Sequence, residues 1–410
     1  MKDYLFILII AAAVTYLLTP LVRRLAFIVG AAPAPRERDV HVVPTPRLGG
    51  LAMFGGLLAG LAVSYRLTYT QEAFTSTLTI WGLIAAAGLL VIMGVFDDRF
   101  GLSPLSKLAG QVAAGGILVW SGENLSWLPL PHGETLALTP DESYLLTIFL
   151  VVVTINAVNF IDGLDGLAAG VVGISGLAYL FYSYTLTNSI GAQSQSVPAI
   201  TSAVLAGMCI GFLPHNFNPA RLFMGDTGSM LLGLLLAYGP ISSTSSLDPS
   251  ILSAYSQENP VNRFPTVLPL LLPIAIWLIP YADLLLAVIR RTRAGQSPFA
   301  ADRKHLHHRM QSMGHSVKGA VLLMYLWAAL FSGMMVGLSV IRISLIWFAV
   351  VTVVMIGLLL FLTVRKVIPW HNLGNGTALA DARGQAAVPG GEASGRSAPS
   401  ESGAGHQPVL

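Results

Sequence analysis

The sequence predicts an all-α, polytopic integral membrane protein, and three features carry this prediction. Of the 410 residues, 54% are hydrophobic and only 10% are charged, whereas soluble domains carry about 25% charged residues. Apolar segments of about 20 residues recur along the chain, which is the length that a helix needs to cross a bilayer. Basic residues gather in alternate connecting segments, as the positive-inside rule expects.

Eleven apolar segments have the composition of membrane-spanning helices. They cover about residues 4–29, 48–65, 79–96, 105–121, 144–161, 166–186, 197–213, 228–240, 266–290, 319–340 and 343–364. The eighth is short, and the fifth and sixth nearly abut. In the first segment Arg23 and Arg24 follow the apolar run, whereas a signal peptide carries its positive charges before that run. We therefore interpret it as a retained helix.

An odd number of spans places most loop Lys and Arg residues on one side of the membrane and few on the other. With eleven spans and the N-terminus outside, the outer side holds only four basic residues: Lys2, Arg66, Arg263 and Arg342. The other loops are rich in arginine and lysine, which predicts a cytoplasmic C-terminus. Most basic residues are thus explained by topology, and the net charge is only +3, so we expect no nucleic-acid partner.

A change of composition near residue 373 predicts two domains. Residues 1–366 hold all the predicted spans, whereas residues 373–410 are rich in Gly, Ala, Ser and Pro. The latter segment buries too little apolar surface to order itself, so we predict a disordered cytoplasmic tail. The single cysteine, Cys209, permits no intramolecular disulfide and excludes a zinc site built from several cysteines.

The first of four polar groups in the predicted cytoplasmic loops is an Asp-Asp pair. Asp97 and Asp98 end the third span, and Lys107 lies at the start of the fourth. Adjacent carboxylates repel each other, so a divalent cation or a neighbouring base is a natural reason to keep both ionised. Lys107 would supply a point charge for a phosphate. A solvated turn that closes a helical hairpin explains the Asp-Asp pair equally well.

The second group, residues 156–167, interrupts an apolar stretch with two asparagines and two aspartates. Asn159, Asp162 and Asp165 follow one another at intervals of three residues, so a helix would place them on one face. Gly163 and Gly166 would let a ligand approach the backbone closely. A polar turn with an Asp helix cap explains one of these carboxylates but not the whole set.

The third group is the loop 216–229, which leads into the eighth span. Asp226 lies in a Gly-Asp-Thr-Gly turn and would cap the helix that follows. The N-terminus of that helix would also favour an anion. Phe223 offers a flat face for a nucleotide base, although interfacial packing explains an aromatic side chain here as well.

Histidines dominate the fourth group, which lies between the ninth and tenth spans. They are His305, His307 and His308. Together with the basic residues that flank them, they would attract a polyanion. Histidine also suits zinc, but the many carboxylates elsewhere favour an oxygen-liganded magnesium or manganese ion. His41 and Arg47, in a basic loop before the second span, would either contact phosphate or only follow the positive-inside rule.

These motifs resemble those of the polyprenyl-phosphate N-acetylaminosugar-1-phosphate transferases, bacterial membrane enzymes that begin cell-envelope glycan assembly. The resemblance covers about residues 1–366. It rests on Asp97-Asp98, residues 159–167, residues 223–229 and the motif His305-Leu306-His307-His308, in this order. It implies transfer of N-acetylglucosamine 1-phosphate from UDP-N-acetylglucosamine to undecaprenyl or decaprenyl phosphate, with UMP as the second product. It also implies a bacterial plasma membrane and suggests a homodimer.

Two other functions stay open at this point. Leu306 interrupts the histidines, and Pro46-Arg47-Leu48-Gly49-Gly50 also resembles the branch that uses UDP-N-acetylglucosamine. The phospho-N-acetylmuramoyl-pentapeptide transferase of peptidoglycan synthesis is the enzymatic alternative. A membrane transporter is the alternative of another class, because carboxylates at membrane depth also mark ion paths. The glycan made downstream, whether lipopolysaccharide, teichoic acid or arabinogalactan, is not specified.

The resemblance implies roles for single residues. Asp226 and Asp162 would bind Mg²⁺, or Mn²⁺ in its place, and Asp97 or Asp98 would deprotonate the acceptor phosphate or help to hold the metal. Asn159 would lie beside the pyrophosphate, and Arg303 would face the sugar. The predicted uridine pocket consists of Gly163, Leu164, Asp165 and Phe223. The other predicted phosphate contacts are Lys107, His305, His307 and His308. We expect direct in-line attack, with a covalent phospho-aspartyl route as the rival.

Overall fold

The computed structural model describes residues 1–31, 45–71, 77–129, 135–190, 196–246, 292, 316–340 and 345–364. Within these ranges the chain forms mainly helices. They are α1 (Lys2–Ile28), α2 (Gly49–Arg66), α3 (Thr68–Gln71), α4 (Thr77–Phe100), α5 (Pro104–Trp120), α6 (Pro140–Ile161), α7 (Leu167–Ile190), α8 (Ser196–Asn216), α9 (Gly225–Ser246), α10 (Val317–Val340) and α11 (Leu345–Val364). A short antiparallel hairpin joins α5 to α6, with strands β1 (Trp127–Pro129) and β2 (Thr135–Ala137).

Six of the described helices are long and apolar enough to cross a membrane. Their spanning parts are Lys2–Ile28, Leu78–Phe100, Pro140–Ile161, Leu167–Asn188, Ser196–Asn216 and Val317–Met334. The chain is therefore a mostly helical, multi-pass membrane protein. Ten of the eleven predicted segments coincide with described helices, whereas the ninth, 266–290, and the predicted tail lie outside the described residues. The total of eleven spans, their orientation and the division into two domains stay predictions.

The eighth predicted segment is longer than we expected. Helix α9 has 22 residues, because its polar end continues the helix where the hydropathy pattern stops. The hydroxyl of Thr244 donates to the Pro240 carbonyl at 3.0 Å, and that of Ser246 donates to the Ser242 carbonyl at 2.6 Å. Such bonds to the preceding turn satisfy hydroxyl groups inside a helix. The helix therefore extends beyond both ends of the predicted apolar segment 228–240.

The centre of the bundle is α8, which packs against α1, α2, α7 and α9. Small residues bring α8 close to α1: a Cβ added to Gly207 or Gly211 would overlap the α1 backbone at Leu8 or Ala12. Close backbone approach through small residues is typical of membrane helix pairs, in which dispersion contacts replace the hydrophobic drive. The core is thus built as a membrane protein requires.

Four chain segments meet at one end of the bundle, which we call the loop end. They are 45–50, 97–107, 159–166 and 216–229, and hydrogen bonds join each of them to another. For example, the Phe223 N–H donates to the Pro46 carbonyl at 2.9 Å. Every polar group predicted from the described part of the sequence lies here. The hairpin of β1 and β2 lies at the opposite end, where α5 ends and α6 begins.

Candidate active site

An ammonium group bridges two carboxylates at the centre of the loop end. Lys107 Nζ lies 2.5 Å from Asp97 Oδ2 and 2.5 Å from Asp226 Oδ2. These residues come from the first turn of α5, the last turn of α4 and the first turn of α9. Their side chains keep 30%, 8% and 27% of their surface exposed for Lys107, Asp97 and Asp226, respectively. The cluster therefore opens to solvent on the side of Lys107 and Asp226.

Asp98 makes different contacts from its neighbour Asp97. Its Oδ1 accepts the Asp226 N–H at 2.9 Å, and its Oδ2 accepts the N–H and hydroxyl of Thr227 at 3.1 Å and 2.6 Å. A side chain on α4 thus caps α9, whose first N–H groups have no partner within their own helix. A Cβ on Gly225 would overlap this carboxylate, and Gly225 has φ +70°, a conformation that glycine adopts freely. Asp98 therefore fixes where Asp226 lies.

Asn159 completes the surroundings of Asp226. Its Nδ2 donates to Asp226 Oδ1 at 3.0 Å and to the Ser229 hydroxyl oxygen at 2.9 Å. One turn deeper, Asn156 Nδ2 donates to Gln111 Oε1 at 2.7 Å. These amides join α6 to α9 and to α5. Asn159 and Lys107 contact different oxygens of the Asp226 carboxylate, Oδ1 and Oδ2 respectively.

Burial and charge act on the carboxylates in different ways. Burial raises the pKa of Asp226, but the hydrogen bonds with Asp97 and Lys107 outweigh it and hold that pKa below its ordinary value. Burial, followed by the charges of Asp226 and Asp98, raises the pKa of Asp162 well above its ordinary value, and Arg47 opposes this shift. Asp162 is thus a carboxyl in a strongly negative site, where a cation would favour its ionised form.

The turn after α6 is braced by the loop after α8. Asp165 is only 5% exposed, and its Oδ2 accepts hydrogen bonds from Asn218 Nδ2 at 2.9 Å and from the Ala220 N–H at 3.0 Å. The Gly166 N–H donates to Asn216 Oδ1 at 3.0 Å. Asp165 thus joins the turn after α6 to the loop after α8. Its contact with uridine stays a prediction.

Segment 45–50 lies against the segment that contains Phe223. Besides the bond from Phe223 to Pro46, the N–H groups of Gly49 and Gly50 donate to the carbonyls of Phe223 and Met224, each at 3.0 Å. These bonds hold the buried Leu48 at φ +102°, a conformation that costs energy for a residue other than glycine. The pairing brings Arg47 close enough for its charge to act on Asp162.

The structure therefore brings most of the predicted site residues to one place. Those at the loop end are Asp97, Asp98, Lys107, Asn159, Asp162, Gly163, Leu164, Asp165, Phe223, Asp226 and Arg47. Of the predicted uridine pocket, Gly163 is exposed, Phe223 is half-buried and Leu164 is buried. The predicted residues His41, Arg303, His305, His307 and His308 lie outside the described residues.

Four supporting residues were not predicted as part of the site. They are Asn216, Asn218, Thr227 and Tyr325. The first three lie within or beside the Gly-Asp-Thr-Gly turn and its preceding loop, so their polar character in that loop was the available signal. Tyr325 lies in an apolar helix far along the chain, and its sequence offers no comparable signal.

The described side chains do not form a ready-made metal cage. In the part of the chain that the structure covers, no three His, Cys, Asp or Glu side chains are grouped closely enough to hold an ion. The oxygen donors that magnesium prefers are nevertheless present in Asp162, Asp226 and the Asn159 amide. Lys107 already places a positive charge between two carboxylates. The types of donor present therefore fit a hard cation.

Comparison with known proteins decides the family. Residues 80–244 match the family described as Glycosyl transferase family 4. The chain is 44% identical to the decaprenyl-phosphate N-acetylglucosaminephosphotransferase of Mycolicibacterium smegmatis, over 78% of each chain. This protein belongs to glycosyl transferase family 4. The resemblance inferred from the motifs is thereby confirmed.

Two further relatives are less similar to this chain. The decaprenyl-phosphate N-acetylglucosaminephosphotransferase of Mycobacterium tuberculosis is 41% identical over 78% of each chain. The probable undecaprenyl-phosphate N-acetylglucosaminyl 1-phosphate transferase of Bacillus subtilis is 32% identical over 83% of this chain and 85% of its own. The family match, 80–244, contains every carboxylate of the site from Asp97 to Asp226.

Proposed function

We propose that this protein transfers N-acetylglucosamine 1-phosphate from UDP-N-acetylglucosamine to a polyprenyl phosphate and releases UMP. The names of its relatives support both the reaction and the bacterial setting. The single structural observation that carries the proposal is the Lys107 ammonium held between Asp97 and Asp226. A cation that bridges carboxylates at the end of an apolar helical bundle is suited to a pyrophosphate brought to a membrane surface.

The proposed site faces the cytoplasm. Among the described residues, the basic side chains at or near the loop end are Arg23, Arg24, Arg47, Arg99, Lys107, Arg221 and Lys318. Those at the opposite helix ends are Lys2 and Arg66. This distribution supports a cytoplasmic loop end by the positive-inside rule. UDP-sugars are made in the cytoplasm of bacteria, so this orientation gives the donor direct access.

The reaction brings several negative charges together. An oxygen of the acceptor phosphate forms a bond to the phosphorus that carries the sugar. The bond from that phosphorus to the bridging oxygen breaks, and UMP leaves with the bonding electron pair. An acceptor phosphate is already mostly ionised near neutral pH, because its second pKa is about 6. The protein therefore needs to position and screen charge more than to remove a proton.

The residues of the cluster divide this work between them. Lys107 screens the phosphate oxygens, while Asn159 holds the side chain of Asp226 and Asp98 holds its backbone N–H. We propose Mg²⁺, with Mn²⁺ as a substitute, bound by Asp226 and Asp162. When bound it would neutralise charge on the diphosphate and stabilise the leaving UMP. Asp97, paired with Lys107, is better placed than Asp98 to act on the acceptor phosphate, since Asp98 is occupied by α9.

The two alternative functions, a phospho-N-acetylmuramoyl-pentapeptide transferase and a membrane transporter, are less well supported. The relatives are N-acetylglucosamine-phosphate transferases by name, which favours this donor over the muramoyl-pentapeptide donor. A transporter would need polar groups that connect both ends of the bundle. Instead, the described carboxylates of the cluster all join at the loop end.

Release of UMP from the purified protein tests the proposal. We expect turnover with UDP-N-acetylglucosamine, polyprenyl phosphate and Mg²⁺, and none after chelation of the metal. The muramoyl-pentapeptide donor should not replace UDP-N-acetylglucosamine. Asp226→Ala should lower kcat about 10²-fold or more, because it removes charge from the centre of the site. Asp141→Ala, an exposed aspartate at the opposite end, should keep wild-type activity.

Two outcomes would overturn parts of this proposal. Full UMP release by Asp226→Ala would remove the metal assignment. A phosphorylated enzyme trapped with donor in the absence of acceptor would replace direct attack by the covalent route. Activity in detergent, where no compartments exist, separates an enzyme from a transporter.

A further inference from the structure

A tyrosine outside the predicted motifs holds the turn 162–166. The Tyr325 hydroxyl, on α10, donates to the Gly166 carbonyl at 2.5 Å. The N–H of the same glycine donates to Asn216, at the end of α8. Both backbone polar groups of Gly166 are thus held by side chains from other helices. The turn cannot shift without breaking contacts to α8 and α10 together.

The Tyr325 ring fits against α7 only because the facing residues are glycines. A Cβ on Gly170 would overlap the ring, and a Cβ on Gly166 would lie 3.3 Å from the Tyr325 hydroxyl and 3.1 Å from Phe217. Gly166 also has φ +79°, where a side chain would be strained. The ring and the two glycines therefore form one fitted contact that sets the start of α7.

The same turn carries residues of the proposed donor site. Asp162 and the exposed Gly163 lie three to four residues before Gly166. Leu164 and Asp165 between them are buried and have little room to adjust. A shift of Gly166 would therefore also move Asp162 and Gly163. We propose that Tyr325 is a positioning residue, which holds this turn in the conformation that receives the uridine nucleotide. This inference rests on the proposed function, which supplies the nucleotide.

Removal of one hydroxyl tests this inference with little risk to folding. Tyr325→Phe keeps the ring that packs on Gly170 and loses only the bond to Gly166. We expect the KM for UDP-N-acetylglucosamine to rise about 3- to 10-fold, the range that loss of one hydrogen bond produces. The kcat and the KM for polyprenyl phosphate should stay unchanged. The Kd for UMP, measured by titration calorimetry without turnover, should rise by the same factor.

Tyr179→Phe is the matched control. It removes a buried tyrosine hydroxyl that donates to the Ser243 hydroxyl at 2.8 Å between α7 and α9, away from the turn. Its donor KM and UMP affinity should equal those of the wild type. If Tyr325→Phe leaves donor KM and UMP affinity unchanged, or lowers only kcat, the inference is overturned while the proposed function stands. A wild-type protein that neither turns over nor binds UMP would overturn both.

Discussion

The two ends of the helical bundle each hold a shielded carboxyl group, and they satisfy it in opposite ways. At the loop end, Asp98 accepts three hydrogen bonds, two of them from N–H groups at the start of α9. Near the hairpin, Glu123 is only 5% exposed and accepts from the hydroxyls of Tyr238 and Ser242 at 3.0 Å and 3.3 Å. Its Oε2 has no hydrogen-bond partner in the described part of the chain.

The difference lies in the kind of donor that each carboxyl group faces. Burial raises the pKa of Glu123 to about 7, although its bonds with Tyr238 and Ser242 lower it. Two neutral hydroxyls thus leave the carboxyl close to half-protonated near neutral pH. Asp98 instead faces a helix N-terminus, whose free N–H groups and dipole favour an anion. Donors thus reach both oxygens of Asp98, whereas among the described residues they reach only one oxygen of Glu123.

The largest effect should come from the carboxylate at the loop end. Asp98→Asn places an amide N–H group against the N–H donors of Asp226 or Thr227 and so loses the cap of α9. We expect a loss of about 1–3 kcal/mol of stability. The kcat should fall about 10²-fold, the cost of a misplaced catalytic group. Thermal unfolding and UMP release would measure the two effects.

Asp141→Asn is the control for this substitution. Asp141 is exposed in the first turn of α6, so the change should alter stability by no more than about 0.5 kcal/mol. Wild-type kcat in the Asp98→Asn variant would contradict a positioning role for Asp98.

The stability of the protein should depend on pH through Glu123, the carboxyl group near the hairpin. The folded-state pKa of Glu123, about 7, lies above its ordinary value of 4.5, so folding binds a proton in this range. The contribution of Glu123 to stability should therefore be constant at lower pH, fall as pH rises through this window, and level off above it. The total change is on the order of 3 kcal/mol. Glu123→Gln should remove the Glu123 part of this fall and be more stable than the wild type at the alkaline end.

Melting temperatures in detergent across this pH window would measure the difference. Glu142→Gln serves as control, because Glu142 is an exposed member of the helix cap at Thr139. That variant should keep the wild-type pH dependence. A Glu123→Gln variant with the same pH dependence as the wild type would show that Glu123 is not the titrating group.

The smallest effect should come from the amide pair within the bundle. Gln111→Leu removes the bond from Asn156 to Gln111, one turn below Lys107. Hydrogen bonds between membrane helices contribute about 0.6 kcal/mol on average, so we expect a small loss of stability and of kcat. A double-mutant cycle with Asn156→Leu would measure the coupling. Strictly additive losses in the two single variants would show that the pair is not coupled.

Local patterns were enough to predict most described helices and the carboxylates that meet at the loop end. Apolar runs located ten of the eleven segments that the structure describes as helices, because membrane depth imposes a minimum apolar length. The same patterns missed the hairpin of β1 and β2, since its strands have only three residues each. They also ended α9 too early, because its Ser and Thr hydroxyls bond within the helix.

The sequence by itself determined that this chain lies in a membrane, which family it resembles and which carboxylates are candidates for the site. Only the tertiary structure decided the separate contacts of the Asp-Asp pair: Asp97 pairs with Lys107, and Asp98 accepts hydrogen bonds from the start of α9. The partners of Asp98 lie 128 and 129 residues away, and Gly166, which accepts from Tyr325, lies 159 residues away. Helical periodicity reports only neighbours three or four residues apart, so hydrogen bonds between distant helices assign these roles.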